Sequence, residues 1–148
     1  SLNAAVYETI RSSGIEKVVH VPGRVGQSEL REFLNSSDLY LSASFSDGTS
    51  VSLLEAMACG LPALVTDLPS NREWVTEGLN GWTFPSGNSK ALADRLVHAV
   101  SDADRLAAAG REALKVARER ADWNVNSMKI VSMYHKLAGP AQSPAAAN

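Results

Sequence analysis

Short runs suited to a β-strand alternate with stretches whose apolar residues recur at helical spacing, and this alternation constrains the fold more than any other feature of the chain. LNAAVYETIRSS repeats Leu2, Val6 and Ile10 before Gly14. KVVHV follows and ends at Pro22 and Gly23, and QSELREFLNSS sets Leu30, Phe33 and Leu34 on one helical face with Ser28 as its cap. DLYLSAS then reads as β-rich, residues 50 to 59 as a helix stopped by Gly60, and PALVT as a buried strand. SNREWVTEG reads as a helix ended by Gly78, and Asn80-Gly81 as a turn into WTF. Strands separated by helical segments of this length require crossover connections, hence an α/β fold with a parallel sheet and helices on both faces.

After residue 88 the strands stop. Leu92, Leu96 and Val100, then Leu106, Leu114 and Val116, then Ile130, Met133 and Leu137 mark extra C-terminal helices. Residues 1–138 are expected to form one domain, and 139–148, GPAQSPAAAN, a disordered tail with almost nothing to bury. A complete doubly wound domain opens with a strand, whereas this chain opens with a helix. Its first strand unit is therefore expected to be missing, and the chain to be a fragment.

Composition removes whole classes of function. With 45% of its 148 residues apolar the chain can bury a core, and its net charge of -2 gives no field for a nucleic-acid backbone. The run VSLLEAMACGLPALV is broken by Glu55, Gly60 and Pro62, and no basic, apolar leader is seen, so neither a bilayer span nor export is expected. The single cysteine, Cys59, cannot form an internal disulfide, and no Cys/His cluster has metal-ligand spacing. A reducing, cytoplasmic setting is the expectation.

In open parallel sheets ligands bind beyond the carboxyl ends of the strands. SFSDGTSV occupies that position: it leaves DLYLSAS and feeds a helix whose first amides are free to hold an anion, which suits a phosphate or diphosphate. Spacing alone leaves a second reading equally open, in which Asp47-Gly48 is an ordinary turn and Ser52 with Glu55 is an S-x-x-E capping box.

The string SASFSDGTSVSLLEAMACGLPALVTD resembles the donor-binding segment of group 1 retaining glycosyltransferases of GT-B fold, with weaker similarity from about Val18 to Leu96. That family is similar in showing an acidic residue, seven intervening residues and a Glu in LLEAMACGLP, matched here by Asp47 and Glu55. The resemblance implies a Rossmann-like C-terminal half of a GT-B fold that binds a nucleoside diphosphate sugar. The whole enzyme would transfer the sugar to a saccharide or lipid acceptor held by an N-terminal domain. It implies that Glu55 accepts hydrogen bonds from the ribose hydroxyls, a diol facing two carboxylate oxygens. Asp47 would act on the donor sugar, Gly48, Thr49, Ser50 and Val51 would face the sugar and diphosphate, and Gly23, Arg24 and Val25 would border the nucleobase. No metal or other cofactor is implied, because helix amides and basic side chains take a cation's place. Peripheral membrane association is expected only through the half of the enzyme that this chain does not contain.

The chain departs from the commonest family pattern in having Asp47 where Glu is usual. The family's basic pair for the diphosphate also lies upstream of the residues present. Two other functions fit the same fold: a sugar-nucleotide epimerase, against which LLEAMACGLP argues, and a non-catalytic nucleotide-sugar sensor. Gly23-Arg24-Val25-Gly26 is not the dinucleotide fingerprint, and no Walker-type or nucleophile-elbow string occurs. His20 in its apolar run, His98 and His135 on late helices, and Cys59 on an apolar helix side read as structural. Ser70 with Glu73 repeats the capping spacing, and the resemblance, through the family's Glu near this point, implies an approach of the Ser70-Asn71 turn to the donor. Trp74, Trp82 and Trp123 read as core or interdomain packing residues. Arg111, Lys115 and Arg118, interleaved with Glu112 and Glu119, read as a solvated helix face.

Overall fold

The computed structural model describes residues 2–138, and the expected disordered tail, 139–148, lies outside the described residues. By contacts the chain divides into two units, one up to Phe33 and one from Leu34.

In the first unit, α1 (Leu2–Ser12) ends where Gly14 takes a left-handed φ of 66°. KVVHV does not form the expected strand. The amides of Val18 and Val19 both donate to the Ile15 carbonyl, at 3.0 and 3.1 Å, so the segment starts as a turn. Val18 is 81% exposed. β-branched residues favour a strand only where a neighbouring strand satisfies their amides, and among the described residues of this unit no strand is present. His20 is accordingly an exposed loop residue whose ring lies 6.2 Å from that of Phe33. α2 (Gln27–Asn35) begins with Gly26, whose carbonyl accepts from Leu30, in the cap position. Ser28 is thus the second residue of the helix and not its cap.

The second unit is built on a three-stranded parallel sheet in the order β1 (Tyr40–Ser42), β2 (Ala63–Thr66), β3 (Gly81–Phe84). Tyr40 stands beside Ala63, and Ala63 beside Gly81. All four residues of β2 are buried, as a central parallel strand requires. Its side chains alternate between two faces. Ala63 and Val65 join Leu53 and Met57 of α3 (Val51–Ala58) and Ala113 and Ala117 of α6 (Ala103–Arg120). Leu64 joins Trp82, Phe84 and Ala99 of α5 (Ser89–Val100). The sheet is therefore covered on both faces, as the alternation predicted. α7 (Trp123–Ala138) follows α6 and exposes Trp123, Met128, Tyr134 and Leu137; Trp123, at 72% exposure, does not pack into the core. Trp82 does, and the half-buried Trp74 stacks under the Arg120 guanidinium at 4.5 Å.

Two local readings are corrected between β2 and β3. The helix expected over SNREWVTEG is a single turn, α4 (Pro69–Arg72), with Pro69 at its first position and no side-chain cap at Leu68. Beyond it the Asn80 side chain takes over: its Oδ1 accepts from the Thr76 amide at 2.7 Å and its Nδ2 donates to the Trp74 carbonyl at 2.8 Å. Ser70 and Glu73 hence do not form a capping box. Asn80-Gly81 is not the turn either. Gly78, with φ 73°, turns the chain, and Gly81 is the first residue of β3.

Candidate functional site

The loop of residues 43–50 leaves the carboxyl end of β1 and enters α3. Ser50 has extended backbone (φ -74°, ψ 111°) and its Oγ accepts from the Leu53 amide at 3.4 Å, which makes it the N-cap. Ser52 is therefore inside the helix. Its hydroxyl lies 3.1 Å from that of Ser50 and 2.8 Å from that of Tyr40, a relay that ties the helix start to β1. The capping box expected from Ser52 and Glu55 does not form. With Leu53 capped and Leu54 bonded to the Ser50 carbonyl, the amides of Val51 and Ser52 are the ones the helix itself leaves open. They carry the positive end of the helix dipole at the carboxyl edge of the sheet.

Glu55 stands one turn further on, half-buried, in a groove of about 430 Å³ between α3 and the last turns of α6. Val51, Leu54 and Ala58 form one wall, Leu114, Arg118 and Asp122 the other. Arg118 is exposed, as read for a solvated helix face, and it also lines the same groove as Glu55. Helical spacing along α6 marked Arg118 as polar and exposed, and nothing local ties it to a residue on α3.

Asp47, Gly48 and Thr49 are exposed. Asp47 takes part in none of the ion pairs among the described residues. Its carbonyl oxygen accepts a hydrogen bond from Ser70 Oγ at 3.0 Å, so the start of α4 reaches the same loop. Asp47, Gly48, Thr49, Ser50, Val51 and Glu55 are therefore brought together on one loop and helix start, joined by Ser70 and Tyr40. Gly23, Arg24 and Val25 belong to the first unit, where Gly23 has a φ of 75° and Val25 is half-buried.

Close to the loop, Arg72 grips Asp67 through two hydrogen bonds, Nε to Oδ1 at 2.5 Å and Nη2 to Oδ2 at 2.7 Å. The hydrogen bond from Arg72 holds the Asp67 carboxyl below its ordinary range, against the opposing effect of burial. A carboxyl whose folded pKa is lowered contributes stability above its unfolded pKa and loses it as pH falls through the folded value. Asp67→Asn is expected to melt slightly below the parent at neutral pH and level with it in strong acid. The difference is small because the guanidinium is 62% exposed. Thermal melts of both proteins across the acid range check this.

A larger cavity, about 460 Å³, lies at the amino ends of β1 and β2, beside Ser37, Leu61 and Val100, away from the loop. Among the described residues no group of three or more His, Cys, Asp or Glu side chains gathers, and no helix is long and apolar enough to cross a membrane.

Comparison with known proteins agrees with this geometry. The family described as Glycosyl transferases group 1 matches residues 3–116. The chain is 32% identical over 137 residues to a phosphatidyl-myo-inositol mannosyltransferase of Mycobacterium leprae, covering 88% of this chain and 36% of that protein. It is 31% identical over 125 residues to an N-acetyl-alpha-D-glucosaminyl L-malate synthase of Bacillus anthracis, covering 82% and 32%. The chain thus spans about a third of the length of these relatives. Among solved structures it is similar to sucrose-phosphate synthase from Thermosynechococcus elongatus, with a TM-score of 0.83 at 17% identity over 89% of this chain and 33% of that one. It is also similar to Anabaena HepE, solved with UDP and with UDP-glucose, with a TM-score of 0.80 at 23% identity over 88% and 35%. The parallel sheet is that of the C-terminal domain of GT-B glycosyltransferases. With the family matched over most of its length and the characteristic loop and helix at the edge of that sheet, the chain belongs to the group 1 glycosyltransferases.

Proposed function

We propose that this chain is the nucleotide-sugar-binding half of a retaining glycosyltransferase, which passes a sugar from a nucleoside diphosphate to a saccharide or lipid acceptor. The observation that carries the reading is the α3 start: open amides at Val51 and Ser52, Asp47 just before them and Glu55 one turn after, at the carboxyl edge of a parallel sheet. The UDP and UDP-glucose held by a protein of the same fold support it.

In this reading the diphosphate lies against the α3 amides, whose fixed dipoles stabilise the charge that grows on the leaving group without reorganising. Glu55 accepts from the two ribose hydroxyls. Asp47 accepts from hydroxyls of the donor sugar and fixes its orientation. The α3 amides supply the positive field, so the reading calls on no metal or other cofactor. The remaining part of the enzyme, N-terminal to this half, binds the acceptor, and any contact with a membrane belongs to it. The enzyme works in the cytoplasm, where nucleotide sugars are at hand.

Asp47→Asn tests the reading. Its effect is expected with the intact nucleotide sugar, about a tenfold loss of affinity for one hydrogen-bonded charge, and not with the diphosphate, which lacks the sugar. Equal losses for both ligands in calorimetric titration would reduce Asp47 to a turn residue. The 148-residue chain by itself is expected to transfer no sugar, because both reactants must be positioned.

A further inference from the structure

Residues 45 to 49 form the crown of the loop between β1 and α3, and all are exposed. Packing holds little of this crown: Phe45, 77% exposed, rests an edge of its ring near Gly87, and a Cβ added at Gly48 would meet nothing within 4 Å. The end of the loop is anchored by Ser50, which caps α3 and is linked through Ser52 to Tyr40. Among the described residues the hydrogen bond that reaches the crown itself comes from Ser70, at 3.0 Å from the Asp47 carbonyl oxygen.

The two partners differ in stiffness. Ser70 rides on α4, which is fastened to the end of β2 on both sides. The buried Asn71 donates its Nδ2 to the Thr66 carbonyl at 2.8 Å, and Arg72 holds Asp67. Asp47 rides on an exposed segment whose packing is confined to Phe45, two residues away. A hydroxyl on a fixed frame that grips a carbonyl on a soft one decides where the soft one rests. The carbonyl is that of Asp47, so the bond fixes the main chain from which its carboxylate projects.

We propose that Ser70 is a positioning residue for the donor sugar, which acts by holding the Asp47 main chain so that the Asp47 carboxylate meets the sugar hydroxyls already oriented. The proposal rests on the role given to Asp47 above. Losing the bond leaves every ligand contact in place but adds an ordering cost to binding the sugar.

The test is calorimetric titration of the 148-residue chain with UDP-glucose, ADP-glucose and GDP-mannose and with the corresponding diphosphates, followed up with the tightest pair. Ser70→Ala is expected to weaken the nucleotide sugar about fivefold, the size of one net hydrogen bond, and to leave the diphosphate within about twofold. Ser70→Thr, which keeps the hydroxyl, is expected to restore the affinity. In the Asp47→Asn background Ser70→Ala is expected to add nothing, since both changes act through one group. Equal losses for the two ligands, an undiminished Ser70→Ala loss in that background, or parental binding by Ser70→Ala overturns the positioning role while the reading of Asp47 stands. Parental binding by Asp47→Asn, or binding of none of the nucleotides, overturns the underlying reading and the positioning role with it.

Discussion

Glu55→Gln is expected to lower the affinity for both nucleoside diphosphate and nucleotide sugar by roughly 10- to 100-fold, because a hydrogen bond to a charged acceptor contributes about 1.5–3 kcal/mol. The substitution keeps the size of the side chain and removes only its charge. Its effect on melting is expected to be slight, for a structural reason. The N-cap of α3 is Ser50, bonded to Leu53, and Ser52 is engaged with Tyr40. Glu55 therefore lacks the Ser partner that would make it part of a capping box, whose loss would cost about 1 kcal/mol. Paired titrations and melts separate the two roles: a lowered melting temperature with unchanged nucleotide affinity would assign Glu55 to helix stability and remove the ribose contact.

Gly81→Ala is expected to destabilise the second unit by about 3 kcal/mol, the upper part of the range for overpacking, and so to lower its melting temperature by roughly 10 °C. Gly81 opens β3 directly beside Ala63 of β2. A Cβ there would run into the Ala63 carbonyl and stand 2.9 Å from Val75 Cγ1, both in the core. Strand spacing cannot widen at β2 without unseating Leu64 and Val65, which are fully buried on opposite faces. Gly78→Ala probes a different physics, a left-handed φ of 73° with open space around it, and isolates backbone strain from steric contact. Denaturant melts of the two variants measure both.

These two residues also show how far the chain could be read from its sequence. The alternation of helix-period and strand-like runs gave the parallel sheet, the buried central strand PALVT and the helices after residue 88, because burial on both faces and crossover length leave a direct mark on local composition. KVVHV carried the same mark and is a turn followed by irregular chain. β propensity reports a surface that fits a neighbouring strand, and the propensity is identical whether or not the neighbour is there. The glycine of Asn80-Gly81 was legible as necessary but not why: local spacing suggested a turn, whereas the requirement is the approach of Ala63 from another strand. Capping failed in the same way. Ser28, Ser52 and Ser70 all had the right residue type near a helix start, yet each is the second residue of its helix, and the cap positions are held by Gly26, Ser50 and Leu68.

The candidate site divides along the same line. Asp47 through Val51 and Glu55 are contiguous, so a single loop and helix carried the whole pattern. Ser70, Tyr40 and Arg118 join it from α4, β1 and α6. Their distance along the chain hides their proximity, and only the folded sheet brings them to one edge.

The central claim is that a nucleoside diphosphate binds at the start of α3. Following backbone amide chemical shifts while UDP, GDP and ADP are added in turn tests it most directly. The account predicts that the diphosphate which binds moves the amides of Gly48, Thr49, Ser50, Val51, Ser52 and Glu55 most. Changes centred instead on Ser37, Leu61 and Val100, at the cavity on the opposite edge of the sheet, or the absence of change with all three nucleotides, would contradict it.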